Sequence, residues 1–371
     1  MPIEKIYKLV GRELRNVDRI VERCLKDNEH RSISGVGAYL SDAKGKRLRP
    51  ALMLLCAKAA GSRQAASGRH HLVRIAAAVE IIHMASLIHD DIIDHARLRH
   101  NKLTVNHRFG SDASIAMGDY LYSIAFQLMA DCRDADILGC ISAAAKGMCE
   151  GELLQVLERG NPDLSKQRYL IIVKKKTALL FAASCQAGAM LSGCSSAVQG
   201  MCKEYGLNFG IAFQIADDCV DLTGEARAAG KSIGSDFRMG ELTLPFLHLI
   251  SGRKDRKEIL LPLRMRDKER AFREIRNKFL DSGHFYPVVC VIHLSTKLSN
   301  ILARRYCDIT YSTRHFSKLI YHIHIIIFTP EICYAPDKLS VFINLIGAEH
   351  APVSPFDHFW FRKISLVAYQ C

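Results

Sequence analysis

RIAAAVEIIHMASLIHDDIID, residues 74–94, decides the fold class. Apolar side chains recur at three- and four-residue spacing, alanine is abundant, and strand-like alternation is absent, so the stretch is expected to be a helix. It is apolar enough to be buried, yet its last five positions contain Asp90, Asp91 and Asp94. On a helix Asp90 and Asp94 lie one above the other. Uncompensated carboxylates on an apolar face are costly, so a positive charge belongs beside them.

FQIADDCVD, residues 213–221, repeats the pattern with Asp217, Asp218 and Asp221. A single DDxxD motif reads equally well as a helix cap or a solvated helix end. Two copies, each followed by basic residues suited to phosphate, favour divalent cations bridging two facing helices. Hard oxygen ligands with few histidines or cysteines on the same face favour Mg²⁺, which takes a couple of carboxylates plus phosphate oxygens and water.

Outward from these two stretches the text to about Gly283 continues helix after helix. SIAMGDYLYSIAFQLMADC (114–132), ILGCISAAAKGMCEGELLQVLE (137–158) and KKKTALLFAASCQAGAMLSG (174–193) share the alanine-rich pattern. Breaks are expected at Pro50, Gly110, Asn161-Pro162, Gly193, Gly224 and Pro245. The expected fold class is all-α: one helical bundle whose acidic helices face each other across a central cavity.

A chain of 371 residues can bury a large core, and 49% hydrophobic with 24% charged residues is ordinary for a globular protein. No run of apolar residues approaches the ~20 needed for a transmembrane segment. The first twenty residues, MPIEKIYKLVGRELRNVDRI, are charged and amphipathic without a signal-peptide centre, which sets the expectation of a cytoplasmic protein. The 13 cysteines form no CxxC pair, against a zinc site or disulfide framework. A net charge of +13 suits nucleic acid, anionic membranes or phosphorylated substrates. The basic residues are dispersed and form no reading module, so nucleic acid is discounted as a partner.

After Gly283 the composition changes. LIYHIHIIIFTPEICY (319–334) and VSPFDHFWFRKISLVAYQC (353–371) are β-branched and aromatic, and the only tryptophan, Trp360, lies here. An appended small domain, a membrane-surface segment and a sequence altered by a frameshift or gene-model error all fit this shift. The absence of clean periodicity favours the last.

Eight motifs appear in order: GKRLRP (45–50), VEIIHMASLIHDDIID (79–94), LRHNKLTVN (98–106), GDYLYSIAFQ (118–127), EGELLQ (150–155), KKTALLFAASC (175–185), FQIADDCVDLTG (213–224) and GKSIGSDFRMGELTLP (230–245). The series closely resembles the trans-isoprenyl diphosphate synthases, specifically bacterial-type polyprenyl diphosphate synthases, to about residue 280. The resemblance implies an isoprenoid-synthase-type helical domain over 1–283 and an atypical tail over 284–371. It implies that an allylic diphosphate ionises and that isopentenyl diphosphate attacks the carbocation with loss of a proton. A homodimer is implied, as is a product handed to membrane enzymes.

By resemblance, Asp90, Asp94 and Asp217 hold Mg²⁺, while Asp91, Asp218 and Asp221 support that shell directly or through water. Arg99, Lys176 and Lys231 match the cations that grip the allylic diphosphate, and Thr177 and Gln214 match the polar groups facing the carbocation. Lys46, Arg49 and His83 match the ligands of isopentenyl diphosphate. Taken singly, GKRLRP reads as a solvated loop before a helix, His83 as a core histidine and Lys176 as a surface lysine; the ordered set outweighs those readings.

One departure stands out. The family usually has two adjacent arginines after the first acidic motif, and here they are Arg99 and His100, with Asn101 in place of a usual glycine. Histidine lacks the arginine fork and is only partly charged near neutrality, so weaker isopentenyl diphosphate binding is expected, improving at mildly acidic pH. Ala85 and Ser86, one turn before Asp90, are small where bulky residues would block a growing chain. Their size implies a product longer than farnesyl, of which an octaprenyl-like length is one version. A geranylgeranyl or farnesyl diphosphate synthase, a terpene cyclase and a non-catalytic subunit of a heteromeric synthase are the alternatives.

Overall fold

The structure, a computed structural model, describes residues 7–27, 29–42, 45–60, 66–99, 101–223, 233–250 and 255–281. His100, Lys231, Gly224 and the tail from 284 lie outside them.

The described chain is built almost wholly from helices: α1 (Gly11–Lys26), α2 (Arg31–Ser41), α3 (Leu48–Ala59), α4 (Ala66–Ile93), α5 (Val105–Phe109), α6 (Ser111–Ala130), α7 (Ala135–Leu157), α8 (Lys166–Val173), α9 (Leu179–Leu191), α10 (Ser196–Thr223), α11 (Ser235–Arg238), α12 (Leu244–Ile250), α13 (Arg256–Leu260) and α14 (Lys268–Asp281). A π-helical turn, Lys174–Ala178, joins α8 to α9. The single ladder pairs Leu98 with Leu103 and Arg99 with Lys102, antiparallel. Asn101, in its turn, has φ of 61°, a left-handed conformation that asparagine tolerates better than most side chains. That accounts for asparagine where the family usually has glycine.

Burial separates two kinds of helix. In α1 the buried residues are Leu14, Val17, Val21 and Leu25, a single stripe on an otherwise polar surface. In α4, Ile75 through Val79, Ile81, Ile82 and Ala85 have no exposed surface, so this helix is enclosed on all sides. The segment His70–Ile93 is therefore long and apolar enough to cross a bilayer, contrary to the sequence expectation. Its most apolar window is 67% buried within the protein, which accounts for that composition as core.

Helix α9 is the hub, packing on α3, α4, α7 and α10. Its small residues permit close approach. A Cβ on Gly188 would lie 2.2 Å from the Met53 carbonyl oxygen, and one on Gly210 of α10 would lie 2.5 Å from Ala178 Cα. Phe181 and Phe209 fill the α9–α10 seam edge to face, with centroids 5.2 Å apart. Truncating either side chain to alanine is expected to cost about 3–5 kcal/mol.

The expected breaks divide into two groups. Gly110 and Gly193 take φ of 88° and 72° and end their helices. Pro50 and Pro245 instead lie inside the first turns of α3 and α12, where a missing N–H removes no helical bond.

Candidate active site

The first acidic cluster ends α4. Asp91 is 4% exposed, and its Oδ1 accepts from Arg99 Nε at 2.9 Å and Nη2 at 2.8 Å. The small ladder places Arg99 there. Asp90 is half-buried, and its carboxyl is pushed up to about 7, first by burial. Lys176 opposes that shift, while Glu152 and Asp94 add to it. Asp94, just past the helix, accepts from Arg159 Nη2 at 2.5 Å.

The second cluster sits on α10. Asp218 is 3% exposed and accepts from Gln214 Nε2 at 2.8 Å and from the Tyr169 hydroxyl. Burial and the Asp218 charge hold that phenol well above its ordinary pKa, so it stays a donor. Asp221, also 3% exposed, accepts from Ser235 Oγ at 2.9 Å and from the backbone N–H groups of Ser235 and Asp236 at 3.3 Å. It anchors the start of α11. Asp217 is half-buried.

Between the clusters lies the π-helical turn, which interrupts the helical register where two consecutive side chains must serve different neighbours. Lys176 Nζ is 2.5 Å from Glu152 and feels Asp90; its pKa is raised because these carboxylates outweigh the opposing effect of burial. The next residue, Thr177, donates from Oγ1 to Gln214 Oε1 at 2.7 Å. One turn of backbone thus sets a cation in the field of Asp90 and a hydroxyl against α10. Gly151 of α7 makes room for it, because a Cβ there would lie 2.2 Å from the Lys176 backbone nitrogen.

A cationic corner adjoins the first cluster. Arg49 is 8% exposed, lies 4.2 Å over the Phe181 ring, and has an Nε without a hydrogen-bond partner. Burial lowers its pKa to about 10, partly offset by Glu80. His83 is held well below the usual histidine range by burial and by Arg49, Arg99 and Arg47, so it is neutral. Lys46 is exposed. Arg47, with φ of 52°, bridges Asp18 at 2.9 Å and Glu80 at 2.8 Å and pins the loop. Ala85 has no exposed surface; Ser86 is half-buried and donates to the His83 carbonyl at 2.9 Å.

The structure thus gathers Asp90, Asp91, Asp94, Arg99 and Lys176 around one motif and Thr177, Gln214, Asp218 and Asp221 around the other. It also adds residues that the sequence did not single out: Arg47, Glu80, Glu152, Arg159, Tyr169, Ser235 and Glu241. Glu80 and Glu152 carry a readable signal, a charge inside an apolar helical stretch. Arg159 and Glu241 meet across 82 positions, and no local pattern marks that pair.

The donor set fits a hard cation. Asp90, Asp94 and Asp217 offer only carboxylate oxygens, and a carboxyl raised to about 7 marks a negative charge short of compensation. Among the described residues no three His, Cys, Asp or Glu side chains are grouped closely enough to hold a metal ion by themselves.

The chain matches the polyprenyl synthetase family over residues 30–278. It is 36% identical over 248 residues to the octaprenyl diphosphate synthase of Escherichia coli (strain K12), covering 67% of this chain and 75% of that one. It is 34% identical to heptaprenyl diphosphate synthase component 2 of Geobacillus stearothermophilus, covering 68% and 77%. The polyprenyl synthase of Caulobacter crescentus CB15, solved with calcium and isoprenyl diphosphate, superposes with a TM-score of 0.81 at 30% identity, covering 89% of this chain and 98% of that one. With the family match, the all-α fold and the paired acidic helices in agreement, the chain belongs to the polyprenyl synthetase family of prenyltransferases.

Proposed function

We propose that this chain is an all-trans-polyprenyl diphosphate synthase, extending an allylic diphosphate by head-to-tail condensation with isopentenyl diphosphate. The observation that carries the reading is the Lys176–Thr177 turn, where Lys176 pairs with Glu152 and feels the Asp90 charge while Thr177 bonds to Gln214 of the second acidic helix. Magnesium, held by Asp90, Asp94 and Asp217 when bound, supplies the charge that lets diphosphate leave.

The protein's own groups do the rest. Lys176 and Arg99 add fixed positive charge where the leaving group develops negative charge, and Lys231 completes that set by resemblance. The hydroxyl of Thr177 is committed as a donor to Gln214, so its lone pairs remain to favour a carbocation nearby. Asp218 and Tyr169 hold the Gln214 amide in its orientation. Arg49, with its spare Nε donor, Lys46 and neutral His83 form the second diphosphate site, which His100 joins by resemblance alone. Stacking of Arg49 on Phe181 fixes the guanidinium before substrate arrives.

A homodimer in the cytoplasm, delivering its product to membrane enzymes, accompanies this reading. Exposed apolar side chains on α6 and α7 support the dimer: Ile115 is 48% exposed, Phe126 44%, Leu153 63% and Leu157 78%. Incubation with Mg²⁺, farnesyl diphosphate and isopentenyl diphosphate should release pyrophosphate and give prenyl products longer than farnesyl. Absence of pyrophosphate release from correctly folded protein overturns the assignment.

A further inference from the structure

Asp94 differs from its neighbours in the first cluster by standing one residue beyond the end of α4 at Ile93. Its backbone N–H still bonds to the Asp90 carbonyl at 2.8 Å, but His95 follows with φ of 50° and the chain turns away. A carboxylate at such a helix end has no packed helical face to orient it. Another group has to fix the direction of its oxygens.

Arg159, two residues past the end of α7, is placed to do so. Its Nη2 donates to Asp94 Oδ1 at 2.5 Å and to Glu241 Oε1 at 2.7 Å. Its Nε donates to Glu241 Oε1 at 3.0 Å, and its Nη1 to the Ile93 carbonyl at 3.3 Å. The Arg159 side chain is 18% exposed and that of Glu241 11%. Gln155 donates to the second oxygen of Glu241, and the Gly160 N–H bonds to the Gly240 carbonyl at 2.8 Å. A planar fork held on two sides is a rigid element, which a lysine cannot reproduce.

The far partner matters as much as the near one. Glu241 lies just after α11, whose first residue, Ser235, is bonded to Asp221 of the second cluster. The stretch from Ser235 to Glu241 is therefore anchored on one acidic motif at its start and, through Arg159, on the other at its end.

The geometry points to Arg159 as the positioning residue of the first acidic cluster: it fixes Oδ1 of Asp94, leaves Oδ2 for a divalent cation, and couples both to the segment anchored by Asp221. The role rests on the metal-binding reading of Asp94 given above. Metal-ligating carboxylates are commonly oriented by such outer hydrogen bonds, whose loss weakens metal binding about 10–100-fold.

The test is calorimetric titration of the full chain with Mg²⁺ in the presence of inorganic pyrophosphate, alongside thermal unfolding without metal. Arg159→Gln should raise the Mg²⁺ concentration for half-saturation by about 10–100-fold. Arg159→Lys should fall between this variant and the wild type. Glu241→Gln should shift in the same direction, and the double variant should be no weaker than Arg159→Gln alone, because both act through one path. A merely structural role would lower the unfolding temperature without moving the Mg²⁺ requirement, and that result in Arg159→Gln overturns the proposal. Should Arg159→Gln fail to fold, a wild-type Mg²⁺ requirement in Glu241→Gln overturns it equally. A wild-type protein that binds pyrophosphate without Mg²⁺ dependence instead removes the metal reading on which the role stands.

Discussion

The two acidic motifs share a spelling and differ in their surroundings. In the first, Asp91 meets the Arg99 guanidinium, Asp90 feels the Lys176 ammonium and Asp94 meets Arg159. In the second, Asp218 is held by an amide and a phenol, and Asp221 by a hydroxyl and two backbone N–H groups. Among the described partners, the first cluster faces protein cations, while Asp218 and Asp221 of the second are held by neutral donors. A cation arriving at the first must be accommodated among fixed positive charges. At the second, Asp218 and Asp221 are already held in place beside Asp217. On the proposed metal-binding reading, motifs of the same spelling divide the work: one supplies exchangeable charge, the other a rigid wall.

The largest effect that would break this comparison is a swap of outcomes between the clusters. Asp90→Asn should lower kcat/KM by about 10³-fold, a magnitude typical of losing transition-state charge stabilisation. It should leave the unfolding temperature of the metal-free protein at pH 8 unchanged or higher, since a neutral amide replaces a disfavoured buried charge. Asp221→Ala should do the reverse. Stripping the acceptor removes three hydrogen bonds from half-buried Ser235 and Asp236 and should cost about 2 kcal/mol of stability in denaturant unfolding. If both variants lose stability equally, the division of labour is wrong.

How much of this could be read in the chain before folding follows from the range of each interaction. The enclosed helix α4 was legible because its apolar residues leave no polar face, and the acidic motifs were legible because their spacing is local. Asn101 was legible as an oddity, and its left-handed φ supplies the reason. The π-helical turn was not: KKKTALLF reads as uninterrupted helix, and its register change comes from packing against Gly151 and α10. The Arg159–Glu241 pair was invisible for a different reason. Its members are brought together only by tertiary structure, and each alone reads as an ordinary surface charge.

A second prediction sharpens the comparison through pH. The folded-state value of Asp90, near 7, lies above the ordinary 3.8. A raised carboxylate contributes stability that is complete at low pH and lost as pH rises through the folded value. The metal-free protein should therefore become less stable between about pH 4 and pH 7, and Mg²⁺ with pyrophosphate should restore more stability at pH 8 than at pH 6. Protons and metal compete for the same oxygen, so the apparent Mg²⁺ affinity should fall below pH 7 by at most about tenfold per pH unit. Both trends should vanish in Asp90→Asn. Asp221→Ala should keep them, and a flat profile in the wild type contradicts the assignment.

The smallest expected effect tests the neutral wall directly. Tyr169→Phe removes one donor from buried Asp218 while preserving the ring, so the packing of α8 on the π-helical turn survives. The carboxylate keeps its bond from Gln214 and loses its second partner, which should cost about 1–3 kcal/mol in denaturant unfolding. Gln214 then bonds to a less constrained anion, and the alignment of Thr177 with it should loosen. Chemistry should respond weakly, with kcat falling by about tenfold or less and the Mg²⁺ requirement unmoved, because the cations of the first cluster are untouched. A Tyr169→Phe variant whose Mg²⁺ requirement rose as steeply as that of Arg159→Gln would place exchangeable charge on both walls and dissolve the distinction between them.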